Sequence, residues 1–116
     1  MSCLFNSMNY FIKEGSNEIR QRICDYLRDN KPLIDGLETN KILEFEGKNY
    51  IETMRSQSTW GGGIEIQAAC NIWNLKIIVI NYRNRGNKNI EFMPLHNNVE
   101  KTIEVSWTGG HYEPIR

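Results

Sequence analysis

Leu4, Met8, Phe11 and Ile12 recur at helical spacing, so the chain opens with an amphipathic helix from residue 3 to about 13, ended by Gly15. Ile19, Ile23, Tyr26 and Leu27 form the next apolar face. Ser16 is placed to cap that helix, with Glu18 in its first turn. Asn30 and Pro32 close it. Gly36, Gly47 and mixed charges interrupt the pattern over residues 33–47, which predicts a loop with short helical pieces. Tyr50, Ile51 and Met54 predict a short helix, and residues 57–62 a turn. Residues 63–73 carry Ile64, Ile66, Ala68, Ala69, Cys70, Ile72 and Trp73. So little polar surface predicts a buried helix.

The period then changes. Residues 76–82, around Ile77-Ile78-Val79-Ile80, predict a strand covered on both faces. Residues 84–87 read as a hairpin turn, and Ile90, Phe92 and Met93 begin a second strand. Ile103, Val105 and Trp107 alternate with Glu104 and Ser106, the pattern of a half-buried strand. Tyr112 and Ile115 end the sheet. Helices precede strands, so the expected fold class is α+β, with N-terminal helices packed on a small, mostly antiparallel C-terminal sheet. A length of 116 residues suits one domain, 1–116, with a single core.

Composition narrows the possibilities. Fourteen basic and fourteen acidic side chains cancel, so no global field draws the chain to nucleic acid or membrane. Arg83, Arg85 and Lys88 form a small basic cluster on a turn, without the glycine and aromatic platform of a nucleic-acid binder. No apolar run approaches membrane-spanning length, and no secretory signal opens the chain. Three widely spaced cysteines make neither a zinc pair nor a disulfide framework. They suit a reducing, cytoplasmic setting. Residues 60–63, Trp-Gly-Gly-Gly, lack the Lys-Ser/Thr ending of a phosphate loop. No cofactor or metal is expected, and the expected state is a monomer.

The candidate chemistry lies at the chain's two ends. Cys3 sits where the first helix begins, and a helix N-terminus favours a thiolate. Cys24 and Cys70 have apolar helical neighbours and read as core residues, whereas His96 reads as a solvated loop residue. His111 follows Gly109 and Gly110, and an imidazole is the usual proton acceptor for a thiol nucleophile. Glu113 lies two residues on, on the same side of a strand, where it can fix the imidazole tautomer. Such pairs meet only in the fold.

Cys3-Leu4-Phe5-Asn6-Ser7, the helix from Ile19 to Leu27, the series Tyr50, Met54, Trp60, Gly61, Gly62, Glu65 and Ala68, the strand at 76–82 and the pair His111-Tyr112 occur in one order along almost the whole chain. That order resembles the ovarian tumour (OTU) domain family of cysteine deubiquitinases. The resemblance implies an OTU-like cysteine protease fold and hydrolysis of isopeptide bonds at the C-terminus of ubiquitin or a ubiquitin-like protein. It implies Cys3 as nucleophile, His111 as general base and acid, and Glu113 as the orienting acid. Ser2, Trp60, Gly61, Trp107, Gly110 and Tyr112 are the expected oxyanion and substrate-channel residues. Asp29, Asp35 and Glu38 are candidates for meeting basic residues of the substrate tail. One departure is plain: the family places Asp-Gly before its cysteine, and here only Met1-Ser2 stand there. The family's front loop is therefore expected either upstream of Met1 or replaced by the N–H of Cys3 and the terminal amine. The departure also motivates an alternative, a non-catalytic ubiquitin-binding module of the same fold. A thiol hydrolase or transferase with another substrate is the third reading.

Overall fold

The computed structural model describes residues 3–57, 59–82 and 89–115. Helices come first: α1 (Cys3–Ile12), α2 (Ser16–Arg28), α3 (Thr39–Glu46), α4 (Tyr50–Arg55) and α5 (Gly63–Trp73). Strands follow: β1 (Leu75–Asn81), β2 (Ile90–Phe92), β3 (Lys101–Trp107) and β4 (Tyr112–Pro114). The expected turn at 84–87 and the basic cluster of Arg83, Arg85 and Lys88 lie outside the described residues.

Local chemistry sets the helix ends. Leu4, Phe5 and Met8 stack on the buried face of α1. Gly15, not Ser16, occupies the cap position of α2, with φ 99°. Side chains rarely adopt that conformation, and a Cβ there would stand 2.4 Å from the Glu18 carboxylate. The Gly15 N–H donates instead to the Asn9 side chain at 2.8 Å. α2 buries Ile19, Ile23, Cys24 and Leu27, and with them the charged Arg20. Asn30 ends this segment with φ 54°. Its side-chain oxygen accepts the Asn40 N–H at 2.8 Å, satisfying an unpaired donor in the first turn of α3. α5 closes on Asn74 in the left-handed conformation, and β1 begins at the next residue.

The sheet has the order β2-β1-β3-β4. β1 runs antiparallel to β2 and β3 antiparallel to β4, as expected. The central pair, β1 with β3, is parallel from Leu75 opposite Lys101 to Asn81 opposite Trp107. The sheet is therefore mixed. β2 and its flanking segments supply the long connection that a parallel pair needs. The Glu100 N–H donates to the Asn74 carbonyl at 2.7 Å where that pair begins.

α5 packs on β1 and β2, α1 packs on β4, and α2 lies across α1, α4 and α5. Phe5, Ile23, Ile66, Ala69, Ile77 and Val105 are fully buried between these layers. β1 departs from expectation on its second face. Leu75, Ile77 and Val79 are buried, but Lys76, Ile78 and Ile80 are only half-buried. That outer face carries the Lys76–Glu91 ion pair at 2.9 Å. Among the described residues no helix is long and apolar enough to cross a membrane.

The asymmetry of β1 is testable. Ile77→Ala is expected to lower the unfolding free energy by about 2–5 kcal/mol, the usual cost of a buried Ile truncation. Ile78→Ala, one residue on and on the outer face, should cost less than half as much in the same urea titration.

Candidate active site

β4 lies at the sheet edge beside α1, so the two ends of the chain share one cleft of ≈ 410 Å³. Cys3, Asn6, Ser7, Asn9 and Tyr10 line it from α1, and His111, Tyr112, Glu113 and Pro114 from the β4 side. Cys3 opens α1 and is half-buried. Ser7, one turn on, is buried and donates its hydroxyl to the Cys3 carbonyl at 2.8 Å.

His111 stands at the end of a tight turn from β3. The Thr108 N–H donates to the His111 carbonyl at 3.1 Å, and Gly109 supplies the positive φ of 104°. The imidazole Nε2 lies 3.2 Å from Glu113 Oε1. A neutral ring bonded in this way donates through Nε2–H and keeps its Nδ1 lone pair free to accept a proton. Both side chains are exposed, so the pair contributes little to stability. Tyr112 is half-buried on β4. Burial pushes its hydroxyl above the ordinary range, with Cys3 and then Glu65 adding in the same direction.

The other expected residues divide. Trp60, Gly61, Trp107 and Gly110 do not line this cleft but build the structure next to it. A Cβ on Gly110 would stand 3.8 Å from the Trp60 ring. A Cβ on Gly61 would meet Leu4 Cδ2 at 2.7 Å and Phe5 Cε2 at 3.0 Å, directly behind Cys3. Trp107 pairs with Tyr112 across β3 and β4. Ser2 lies outside the described residues. Asp29, Asp35 and Glu38 line other clefts, formed around the end of α2 and the loop after it. The structure does not bring them to Cys3.

Sequence reasoning missed Asn6 and Tyr10. Their signal was present: positions 3, 6, 7 and 10 share one helix face opposite the apolar one. Arg20 was also missed, although it lies between Ile19 and Ile23 on a core-facing helix. The other two thiols are core residues, as expected. Burial pushes Cys24 up from 9.0 to about 11 and Cys70 to about 12. The Cys70 thiol donates to the Phe92 carbonyl at 3.6 Å.

Comparison with known proteins is consistent along the chain. Residues 2–112 match the family described as OTU-like cysteine protease. The chain is 25% identical over 121 aligned positions to "Ubiquitin thioesterase OTU1" of Rattus norvegicus, covering 99% of this chain and 33% of that protein. It is 28% identical over 130 positions to "Ubiquitin thioesterase otu2" of Schizosaccharomyces pombe, covering 98% of this chain and 42% of that one. The chain thus spans less than half the length of these curated relatives. An OTU domain solved in complex with ubiquitin superposes with a TM-score of 0.77 at 22% identity, covering 97% of this chain and 62% of that chain. An OTU deubiquitinase from Wolbachia pipientis wMel, bound to ubiquitin, gives 0.70 at 17% identity, over 99% and 89%. These likenesses show an OTU-like fold.

Three outcomes follow from the site's construction. Alkylation of the native protein at pH 8 should add one label, on Cys3, because Cys24 and Cys70 are buried and stay protonated. Intact mass reads this, and Cys3→Ser should take no label. The raised thiols also set a sign. The unfolded chain loses these protons near the ordinary 9.0, before the folded one does. Stability should therefore fall as pH rises above about 9. Gly61→Ala should impair Cys3 reactivity, since the added methyl displaces Leu4 and Phe5.

Proposed function

The chain belongs to the OTU-like cysteine protease family, and on that premise we propose that it is a deubiquitinase, cleaving isopeptide bonds at the C-terminus of ubiquitin or a ubiquitin-like protein. The observation that carries this reading is the shared cleft of Cys3, His111 and Glu113, with the imidazole bonded to the carboxylate through Nε2. Ubiquitin in the solved complexes of similar OTU domains supports the substrate class.

In this mechanism Cys3 Sγ gives its proton to His111 Nδ1 and attacks the terminal glycine carbonyl. Glu113 accepts the Nε2–H and stabilises the imidazolium, as an orienting carboxylate does in a catalytic triad. The Cys3 N–H, at the start of α1, is the proposed oxyanion donor. Ser2, outside the described residues, is proposed beside it. His111 then protonates the leaving amine as the carbon–nitrogen bond breaks. Water, deprotonated by the same imidazole, attacks the thioester, and the carboxylate and the free thiol are released. Trp60, Gly61, Gly110, Trp107 and Tyr112 are proposed to shape the approach for the substrate's narrow di-glycine end.

The test is incubation with ubiquitin carrying a C-terminal electrophile, read by intact mass. One adduct is expected on the parent chain and none on Cys3→Ser. On a cleavable ubiquitin substrate, His111→Ala should slow turnover by roughly 10²–10⁴. Glu113→Gln should slow it less, with Tm unchanged because the pair is exposed. Binding of ubiquitin without any adduct would instead identify a non-catalytic module.

A further inference from the structure

Arg20 and Glu65 are each about 1% exposed, and buried charges are unfavourable without strong partners. Their partners are mostly backbone. Arg20, on α2, donates to the Met54 carbonyl at 2.6 Å and to the Thr59 carbonyl at 2.9 Å. Its guanidinium also lies 4.2 Å over the Phe5 ring. Glu65, on α5, accepts the Gly62 N–H at 2.8 Å and the Tyr50 hydroxyl at 2.7 Å. One residue therefore ties the first end of residues 59–62 and the other ties the last.

That segment has no helix or strand of its own, yet it touches both halves of the candidate site. Gly61 approaches Leu4 and Phe5, the two residues after Cys3, so closely that no Cβ would fit between them. The Trp60 ring stands beside Gly110, the residue before His111, 3.8 Å from where a Cβ there would sit. We propose that Arg20 and Glu65 are positioning residues, which hold Thr59–Gly62 as a strap that sets the Cys3 thiol against the His111 imidazole. The inference rests on the proposed thiol–imidazole reading and adds the groups that enforce its geometry. Displacement of a reacting group by about 1 Å can cost on the order of 10²-fold in rate, so a strap of this kind acts on chemistry more than on binding.

A double-mutant cycle on the alkylation of Cys3 by iodoacetamide at pH 7 tests this without ubiquitin. The rate is measured for the parent, His111→Ala, Glu65→Ala and the double variant. His111→Ala should slow the parent by at least about tenfold. In the Glu65→Ala background the same change should have almost no effect, because the two groups are no longer aligned. Glu65→Gln should restore most of the coupling, since its amide oxygen still accepts the Gly62 N–H. An equal effect of His111→Ala in both backgrounds would overturn the inference and leave the proposed function standing. No effect of His111→Ala in the parent would overturn the thiol–imidazole reading and the inference with it. Should Glu65→Ala fail to fold, Tyr50→Phe removes only the hydroxyl donor. The same cycle then decides: reduced coupling supports the strap, and unchanged coupling overturns it.

Discussion

The parallel pairing of β1 with β3 is the contact on which the site depends. It places β3 at the centre of the sheet and leaves β4 at the edge, against α1. The pairing also determines which way β3 runs, and so where the tight turn into β4 emerges. With β1 and β3 antiparallel, His111 would appear at the other end of the sheet, away from Cys3. An interaction between two apolar strands in the middle of the fold thus decides whether residues 108 positions apart in the chain can share a cleft.

Around that cleft the protein buries charge in an unusual place. The exposed pair of His111 and Glu113 contributes little to stability and is free to serve chemistry. Arg20 and Glu65, by contrast, are removed from water and directed at backbone groups. Burial pushes the Glu65 carboxyl up, while the Tyr50 hydroxyl and the Gly62 N–H hold it down. Groups so placed are costly to leave unpaired, and this gives an irregular segment a defined position. The strap can then be short and glycine-rich, as close approach to α1 requires.

The three cysteines show how environment separates residues of one type. Cys24 and Cys70 are buried, and the loss of water disfavours the thiolate at both. Cys3 sits at a helix start on an open cleft. Burial thereby withdraws two of the three thiols from the surface and leaves Cys3 facing the cleft.

The linear pattern determined much of this. Spacing of Leu4, Met8, Phe11 and Ile12, of Ile19, Ile23 and Leu27, and of Ile103, Val105 and Trp107 located the helices and strands, because local periodicity follows from backbone geometry alone. The order of helices before strands gave the α+β class, and Cys3, His111 and Glu113 stood out by residue type and local setting. Tertiary structure decided the rest. Pairing direction is not local, since an apolar strand reads alike in a parallel or antiparallel neighbourhood, so the central parallel pair was invisible. That Ile78 and Ile80 are only half-buried depends on what packs over that face of β1, which periodicity along one strand does not report. The burial of Arg20 was not legible because its compensation comes from carbonyls more than thirty positions away. Asp29, Asp35 and Glu38 looked available because charge can be read from sequence, whereas proximity to a cleft depends on how the chain folds back on itself.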